Sequence, residues 1–361
     1  MKRVIIVGGG YAGTTLARAL DATFDVVLVE PREAFVHNVA AIRALVEPAL
    51  LDRIILPYDR LLKRGEVLRD RAQAVAEGRV TLAGGKGLQG DFIVLATGST
   101  YAQPFKPVSH AMGDFRAAQA ALQAEIKVAR SIAIVGAGAV GVELAGEIAS
   151  VLKGKDITLI ASTPHLFPDF SAGLGAKLAA DLKALGVKLK TGVKAQGLSG
   201  LDRPTRGPLQ LDTGETLAAD LVIPAIGARA ATGVAAGLPG VSFDRIGRLE
   251  VDGWMRPAGM SRVFALGDMA ANGDMMTIVA SSRQAPWLAK TLEALAAGRA
   301  IETLATYTPW PSPPILVPLG PKRGASVLPL GRNGSVVGPF LTGLIKGKSL
   351  FIPRYHKEFG L

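Results

Sequence analysis

Two glycine-rich loops in this chain have the residue types and spacing that bind dinucleotide phosphates. The first, Gly8-x-Gly10-x-x-Gly13, follows the apolar run at 4–7 and opens a helix that we predict from Thr14 to Leu20. In this pattern the first glycine permits a tight turn, the second lets a pyrophosphate approach the backbone, and the third lets the helix pack on the strand. The start of the helix offers free N–H groups and partial positive charge to an anion.

The elements around this loop complete the pattern. A second strand, predicted at 26–29, ends at Glu30, about 20 residues after the loop, where a carboxylate is placed for a ribose hydroxyl. A glycine triplet alone would be weak evidence, because a glycine-rich turn occurs in many other α/β proteins. Strand, loop, helix, strand and acid together indicate a dinucleotide site.

The second loop repeats the arrangement 128 residues later. Gly136, Gly138 and Gly141 follow an apolar run at 131–135 and precede a predicted helix at 142–152 and a strand at 157–160. Two such units in one chain predict two bound dinucleotides. The second unit ends at Ala161 instead of an acid, and no arginine follows at once, so the second cofactor is NAD(P)H with its preference open.

Two acids lie on the helix after the second loop. Glu143 and Glu147 are four residues apart and share one helix face. Glu143 falls in the first turn of the predicted helix, where the helix dipole favours an acid. The functional alternative places Glu143 beside the nicotinamide.

Small residues follow the carboxyl ends of two further predicted strands. Ala96, Thr97 and Gly98 follow the strand at 92–95, and Gly267 and Asp268 follow the run at 263–266. Small residues allow a cofactor to approach the backbone closely, and Asp268 would direct a carboxylate at a ligand. Taken alone, Gly267-Asp268 is also the pattern of an ordinary turn.

The composition restricts the chemistry. The chain has 361 residues, 49% of them hydrophobic, which predicts two to three folded domains. It has no cysteine, and its four histidines do not have metal-site spacing. A redox-active dithiol and an iron–sulfur cluster are therefore excluded, and any redox chemistry resides on a bound organic cofactor.

The loop after Glu30 leaves the carboxyl end of a strand, which is where ligands bind in open α/β sheets. His37, Asn38 and Arg43, in this loop and in the helix predicted after it, are therefore candidates for the flavin side of the site. Taken singly, each is equally well explained as a helix-capping or surface residue.

The last sixth of the chain is basic and broken by prolines. The net charge of the chain is +11. After residue 300 there are two acids, Glu302 and Glu358, and seven basic residues: Lys322, Arg323, Arg332, Lys346, Lys348, Arg354 and Lys357. With Leu344, Ile345, Leu350, Phe351 and Ile352 among them, the tail can lie on an anionic membrane surface. The alternative is a C-terminal element packed on the first unit with solvated lysines.

Other targeting features are not expected. No apolar run approaches the 18 residues of a membrane span. The start of the chain does not match a secretory signal, and Lys2 does not match an N-myristoylation motif. The basic residues form no run, so nucleic-acid binding is disfavoured.

With Gly8–Gly13, Ala96–Gly98, Gly136–Glu143 and Val263–Asp268 in this order, the chain resembles the two-dinucleotide flavoproteins of the pyridine nucleotide-disulfide oxidoreductase superfamily. This group includes glutathione reductase, type II NADH dehydrogenases and apoptosis-inducing factor. Within it, residues 35–43 and 346–351 are most similar to the ferroptosis suppressor protein branch, also called the apoptosis-inducing-factor homologues. The resemblance covers essentially the whole chain.

This resemblance implies an α/β fold with two Rossmann-like dinucleotide-binding domains, the second inserted into the first, and a small C-terminal segment. We expect an FAD-binding domain at 1–105 and 245–300, an NAD(P)H-binding domain at 106–244, and an interface or membrane-contact segment at 301–361. The residues expected to bind FAD are Gly8, Gly10, Ala12, Gly13, Glu30, Arg43, Ala96, Thr97, Gly98, Gly267 and Asp268. Those expected to bind NAD(P)H are Gly136, Gly138, Gly141 and Glu143.

Members of the branch are FAD-containing quinone reductases that use NAD(P)H at membranes. The resemblance therefore implies hydride transfer from NAD(P)H through FAD to a quinone, with Glu143 near the nicotinamide and the C-terminal segment closing the quinone site. Lys346 and Phe351 would then lie near the flavin, with Lys346 and His37 as candidate proton donors. We expect a cytoplasmic protein, peripheral on the inner face of a membrane, and leave its oligomeric state open.

The chain also departs from its relatives. It lacks the myristoylation motif of the lipidated members and the cysteines of the disulfide reductases. Two other functions stay open. The first is a soluble reductase of a ferredoxin or rubredoxin, for which the basic surface would steer an acidic partner. The second is a flavin-stabilised binding protein whose redox state gates partner contact.

Overall fold

The computed structural model describes residues 1–198, 200, 203–331 and 334–361. Within residues 1–100 the elements are β1 Arg3–Val7, α1 Tyr11–Leu20, β2 Asp25–Val29, β3 Ala34–Val36, α2 Asn38–Ala44, α3 Leu51–Ile54, β4 Ile55–Pro57, β5 Glu66–Leu68, β6 Ala72–Ala76, β7 Arg79–Leu82, β8 Gly87–Gln89, β9 Phe92–Leu95 and β10 Ser99–Thr100. Residues 101–230 form α4 Met112–Val128, β11 Ser131–Val135, α5 Ala139–Val151, β12 Asp156–Ala161, α6 Ala172–Ala184, β13 Lys188–Thr191, β14 Ala195–Gln196, β15 Thr205–Arg206, β16 Leu209–Leu211, β17 Thr216–Leu217, β18 Leu221–Pro224 and β19 Arg229–Ala230.

The remaining elements are β20 Leu249–Glu250, β21 Val263–Ala265, β22 Ala270–Ala271, α7 Ile278–Ala296, β23 Ile315–Pro318, β24 Gly324–Leu328, β25 Ser335–Val337, α8 Pro339–Thr342 and α9 Ile352–Glu358. A π-helical turn, Gly343–Gly347, continues α8. Short 3₁₀ turns lie at Pro48–Leu50, Gly233–Ala235, Gly267–Met269 and Ile301–Thr303.

The first sheet has the strand order β21-β9-β1-β2-β5, and all its strands are parallel. Val4 and Ile6 of β1 pack in the core that holds Leu16 of α1, while Ile5 and Val7 point into a separate core on the opposite face. Burial on both faces explains why residues 4–7 of β1 are all apolar, as is usual for a parallel strand.

The second sheet has the order β13-β12-β11-β18, with β15 antiparallel on the edge beyond β18. All of its strands lie in sequence between β9 and β21, which are neighbours in the first sheet. The second Rossmann-like unit is therefore inserted into the first, as predicted. The chain leaves the first sheet through β10 and returns through β19, and these two strands pair antiparallel.

Two local predictions were wrong. The alternating residues and glycine turns at 67–95 predict a small antiparallel unit that includes Val67-Leu68. In the structure β5 joins the parallel sheet beside β2, and β6, β7 and β8 form the antiparallel unit. The segment after Glu30, predicted as loop and helix, also contains β3, which pairs with β4. The partners of these short strands lie far along the chain, where local periodicity carries no signal.

The C-terminal segment packs on both units. Val317 and Val327, on the antiparallel sheet β23-β24-β25, belong to the core of the second unit. Tyr355 of α9 and Phe359, directly after that helix, belong to the core of the first. Arg332, counted in the basic tail, lies outside the described residues. None of the described helices combines the length and apolar character needed to cross a bilayer.

Candidate functional site

The first glycine loop joins β1 to α1. Gly8 has a φ of +109°, and a Cβ there would lie 2.5 Å from the carbonyl oxygen of Ala96. A Cβ on Gly13 would lie 1.9 Å from the carbonyl oxygen of Gly8, whereas one on Gly10 would meet no atom of the described residues within 4 Å. The fold thus excludes a side chain at Gly8 and Gly13, and Gly10 faces open space.

That open space is a cleft of about 870 Å³, a size typical of ligand sites. It lies at the carboxyl ends of β1, β2 and β9, where open α/β sheets bind cofactors. The predicted FAD residues that line it are Gly8, Gly10, Ala12, Glu30, Ala96, Thr97, Gly98, Gly267 and Asp268. The structure therefore brings together most of this predicted set.

Glu30 forms part of the cleft wall and is only 2% exposed. Its carboxylate accepts hydrogen bonds from the Gly9 N–H at 2.6 Å and from Nε and Nη2 of Arg32 at 2.8 and 2.9 Å. Burial acts to raise the pKa of Glu30, but the Arg32 guanidinium and the backbone donors hold that pKa below its ordinary value. Glu30 is therefore an ionised carboxylate at neutral pH.

Asp268 has two partners that sequence reasoning missed. Its Oδ2 accepts from Ser99 Oγ at 2.5 Å and lies 3.5 Å from Lys106 Nζ, which itself donates to Ser99 Oγ at 2.6 Å. Ser99, Lys106 and Asp268 all line the cleft. The only signal in the sequence was a single lysine between Pro104 and Pro107, and this pair of prolines by itself indicates no more than a connecting segment. Lys106 adds a positive charge to the cleft wall.

The second glycine loop has the geometry of the first. Gly136 has a φ of +110°, and its Cβ would lie 2.6 Å from the carbonyl oxygen of Ala225. A Cβ on Gly141 would lie 1.8 Å from the carbonyl oxygen of Gly136, and one on Gly138 would have no neighbour within 4 Å in the part of the chain that the structure describes. Each glycine has the same surroundings as its counterpart in the first loop.

Matching hydrogen bonds align the two units residue by residue. The Gly8 N–H donates to the Val29 carbonyl at 2.9 Å, and the Gly136 N–H donates to the Ile160 carbonyl at 2.9 Å. The next residues, Glu30 and Ala161, therefore occupy equivalent positions. The second unit thus has a methyl group where the first has a carboxylate.

Glu143 forms a buried ion pair with the C-terminal segment. Its Oε1 accepts from Lys346 Nζ at 2.7 Å, and Lys346 also donates to the Leu316 carbonyl at 3.0 Å. Burial raises the pKa of Glu143, and Lys346 opposes this shift. Because α5 begins at Ala139, Glu143 lies in the second turn, so the predicted stabilisation by the helix dipole in the first turn was wrong.

Glu147, one turn further along α5, pairs with Arg43. Nε and Nη2 of Arg43 lie 2.7–3.0 Å from the Glu147 carboxylate, and its Nη1 donates to the Gly347 carbonyl at 2.7 Å. Both side chains are at most 4% exposed. Arg43, predicted as a cofactor contact, does not line the cleft; it joins α2, α5 and the C-terminal segment.

His37 links the cleft to the C-terminal segment. Its Nε2 lies 2.5 Å from the Leu350 carbonyl, which only accepts, so Nε2 carries the proton and Nδ1 accepts from the Tyr11 hydroxyl at 2.9 Å. Burial lowers the pKa of His37 to about 4, so the ring is neutral at pH 7. Tyr11, which lines the cleft, was missed although an aromatic residue inside a glycine loop is a visible signal.

Phe351 and Leu350 both have left-handed backbones, with φ values of +63° and +50°. Non-glycine residues rarely adopt this conformation, which costs roughly 1 kcal/mol or more per residue. The Leu350 carbonyl is held by His37, and Phe351 packs half-buried against the core of the first unit. Phe351, predicted near the flavin, is outside the cleft lining.

Known proteins show the same architecture. The family model described as pyridine nucleotide-disulphide oxidoreductase matches residues 2–285. The chain belongs to this family. As a pyridine nucleotide-disulphide oxidoreductase, it has FAD and NAD(P)H as its cofactors, and the two glycine loops are the elements of the fold that fit two dinucleotides.

Its relatives lie in the branch expected from the sequence. It is 31% identical to apoptosis-inducing factor homolog B of Dictyostelium discoideum, over 98% of this chain and 96% of that protein. It is 28% identical to ferroptosis suppressor protein 1 of Xenopus tropicalis, over 99% and 96% of the two chains. The solved structure of the sulfide:quinone oxidoreductase of Aquifex aeolicus matches it with a TM-score of 0.81 at 18% identity, over 99% of this chain and 91% of that one.

Proposed function

We propose that this family member is an FAD-containing NAD(P)H:quinone oxidoreductase that works at a membrane surface. The observation that carries the proposal is a pair of glycine loops with matching geometry in a chain without cysteine. A disulfide acceptor would require a redox-active dithiol in the protein, so another oxidant must take the electrons. The resemblance to the ferroptosis suppressor branch, whose members reduce quinones, favours a quinone.

We assign FAD to the cleft of the first unit, within a domain formed by residues 1–105 and 245–300. The open backbone at Gly10 and the positive charge of Lys106 suit a pyrophosphate, and the ionised Glu30 suits a ribose hydroxyl. Asp268 would receive a further hydroxyl of the cofactor. When bound, FAD supplies two-electron chemistry between a nicotinamide and an acceptor.

We assign NAD(P)H to the second loop, within residues 106–244. Gly138 has the same open position as Gly10 and would receive the pyrophosphate. Glu143 would lie beside the nicotinamide, its charge balanced by Lys346. Because Ala161 replaces the acid that repels a 2′-phosphate, we expect this site to accept both NADH and NADPH.

We assign proton delivery to Lys346. Quinone reduction consumes two protons, so a donor must lie within reach of the acceptor. Of the two candidates, His37 is neutral at pH 7 and its one ring proton is engaged by the Leu350 carbonyl. Lys346 carries an ammonium group with three N–H donors, two of which are engaged by Glu143 and Leu316. His37 then has a positioning role.

The test is anaerobic stopped-flow spectroscopy of the purified yellow protein. We expect rapid bleaching of the flavin absorbance on mixing with NADH or NADPH, then rapid recovery on mixing with a short-chain ubiquinone. Rapid bleaching with slow recovery would overturn the quinone assignment in favour of a protein acceptor. Slow bleaching by both nucleotides would point to a redox-gated binding protein.

A further inference from the structure

The helical turn at 339–347, formed by α8 and the π-helical turn after it, buries polar side chains and exposes apolar ones. The side that packs on the protein carries Thr342 and Lys346, which are 0% and 8% exposed. The side that faces solvent carries Phe340, Leu341 and Leu344, which are 79%, 39% and 58% exposed. A helix on the surface of a folded domain normally buries its apolar side, so three large apolar side chains here need another explanation.

Specific contacts hold this turn in its orientation. Thr342 shares a hydrogen bond of 2.8 Å with Ser326, and Lys346 donates to Glu143 at 2.7 Å. On the same side, a Cβ on Gly343 or on Gly347 would lie only 3.1 or 3.3 Å from the carbonyl oxygen of Pro321. Rotating the turn to bury Phe340 would break a buried ion pair, so the folded protein keeps the apolar side outward.

The surroundings of this apolar side are positively charged. No aspartate or glutamate occurs between residues 303 and 357. Lys348, exposed, follows Leu344 by one helical turn, and Lys322, also exposed, follows the Pro321 on which the turn rests. Apolar side chains rimmed by lysines complement an interface with hydrocarbon below and anionic headgroups around it.

We infer that Phe340, Leu341 and Leu344 form a docking face that inserts into an anionic lipid bilayer, with Lys322 and Lys348 at its rim. Lys346 projects from the opposite side of the same turn. With the face in the bilayer, the proposed proton donor Lys346 would lie on the side of the turn that faces the protein. This inference rests in part on the proposed function, because a lipophilic quinone resides in a bilayer. Its own evidence is the exposure of the three apolar side chains and the charge of the lysines around them, so vesicle binding tests it independently of quinone reduction.

The experiment is co-flotation of the FAD-loaded protein with lipid vesicles. We expect binding to phosphatidylcholine vesicles that contain about 30% phosphatidylglycerol, weaker binding to pure phosphatidylcholine, and loss of binding at high salt. The double variant Phe340→Ser/Leu344→Ser should bind at least about tenfold more weakly, given the apolar area removed. Its matched control is Val128→Ser/Ile246→Ser, which removes two exposed apolar side chains elsewhere and should bind like the unaltered protein.

The contribution of the rim lysines to vesicle binding is tested with a second variant and its matched control. Lys322→Glu/Lys348→Glu should weaken binding to the anionic vesicles more than Lys86→Glu/Lys290→Glu, which changes the net charge equally at exposed positions away from the face. Reduction of a soluble dye should be unchanged in all four variants, which shows that they are folded. Equal vesicle binding by Phe340→Ser/Leu344→Ser and the unaltered protein would overturn the inference.

Two further outcomes are decisive. If Phe340→Ser/Leu344→Ser converts a lipid-free dimer into a monomer on size-exclusion chromatography, the face binds a second copy of the chain and the inference is wrong. Vesicle binding without quinone turnover would retain the docking face and overturn the quinone proposal alone.

Discussion

The two glycine-loop units have one backbone design but differ in the charges placed on it. In both, the first glycine is left-handed, the third has no room for a side chain, and the second is open. The first unit holds an ionised Glu30 with Arg32 at its cleft, whereas Ala161 takes the equivalent position in the second. The second unit instead carries its acids, Glu143 and Glu147, on the helix and pairs both with groups outside itself.

This difference separates two tasks. Backbone geometry, common to both units, accommodates a pyrophosphate whatever the nucleotide. The charged side chains differ: in the first unit Glu30 and Arg32 lie at the cleft wall, whereas in the second Glu143 is bound to Lys346 of the C-terminal segment and Glu147 to Arg43 of α2. Substitutions in the glycine loops should have large effects of the same kind in both units, namely loss of the nucleotide bound there. Substitutions of the charged side chains should affect one unit only.

The largest effect is expected from Gly136→Val. The new side chain would overlap Ile226 and the Ala225 carbonyl, so NAD(P)H oxidation should fall at least about 1,000-fold, or about 4 kcal/mol, while FAD stays bound. FAD absorbance and NADH oxidation measure the two outcomes. Gly8→Val should instead lose FAD. The control is Gly154→Val: Gly154 also has a positive φ but no described neighbour within 4 Å, so this variant measures the effect of the strained backbone without a steric clash. Loss of FAD from Gly136→Val alone would mean that the two sites are exchanged.

Next is Arg43→Met. It leaves Glu147 buried and uncompensated, so the free energy of unfolding in denaturant should fall by about 3 kcal/mol. Arg32→Met should cost less than Arg43→Met, because Glu30, although buried, keeps its hydrogen bonds from the backbone N–H groups of Gly9 and of residue 32. Arg43→Met/Glu147→Leu, which removes both charges, should recover much of the loss. Equal losses for Arg32→Met and Arg43→Met would contradict the contrast between the units.

The first unit should also confer a dependence on pH through His37. Its pKa of about 4 lies below the ordinary value, so the unfolded chain binds the proton more readily. Stability is fully present above about pH 6.5 and is lost as the pH falls towards 4, by about 2 kcal/mol between pH 7 and pH 5. Thermal unfolding at both pH values measures this. His37→Gln should lose most of the dependence and exposed His165→Gln should keep it; a reversed result would refute the assignment.

The smallest effect is expected at Ala161. Ala161→Glu gives the second unit the carboxylate of the first, which repels a 2′-phosphate, so the ratio of kcat/KM for NADH to that for NADPH should rise about tenfold. Ala161→Gln has the same size without the charge and should leave the ratio unchanged. The same rise in both variants would show that size, and not charge, selects the nucleotide.

Local sequence patterns predicted most of the fold and most of the cleft lining, but not β3 or the place of β5 in the first sheet. The apolar runs, the glycine spacing and the small residues after β9 and β21 are read within a few neighbouring residues, and they placed both sheets and most of the cleft lining. The start of α5 was missed because Ala139 and Val140 continue the loop without a capping residue to mark the boundary.

The contacts between distant segments could not be predicted in this way. Arg43 meets Glu147 across 104 residues, and His37 meets Leu350 across 313. His37 and Arg43 each had two equally good local interpretations, as a cofactor contact or as a helix-capping or surface residue, and their actual partners are visible only in the folded chain. The same holds for the tail: Leu350 and Ile352, which contributed to its apolar character, are buried, while Phe340 is exposed.

Arg43 binds Glu147 and the Gly347 carbonyl at the same time, and these contacts limit how the two units can move during turnover. The two units are joined by the β10–β19 ribbon and by a guanidinium that binds Glu147 of one unit and Gly347 of the C-terminal segment. A hinge rotation of one unit against the other would separate the buried Arg43 from the Glu147 carboxylate and leave both charges without their ion-pair partner. Coenzyme exchange is therefore expected to proceed through small loop and side-chain movements, with the relative orientation of the two domains preserved throughout the catalytic cycle.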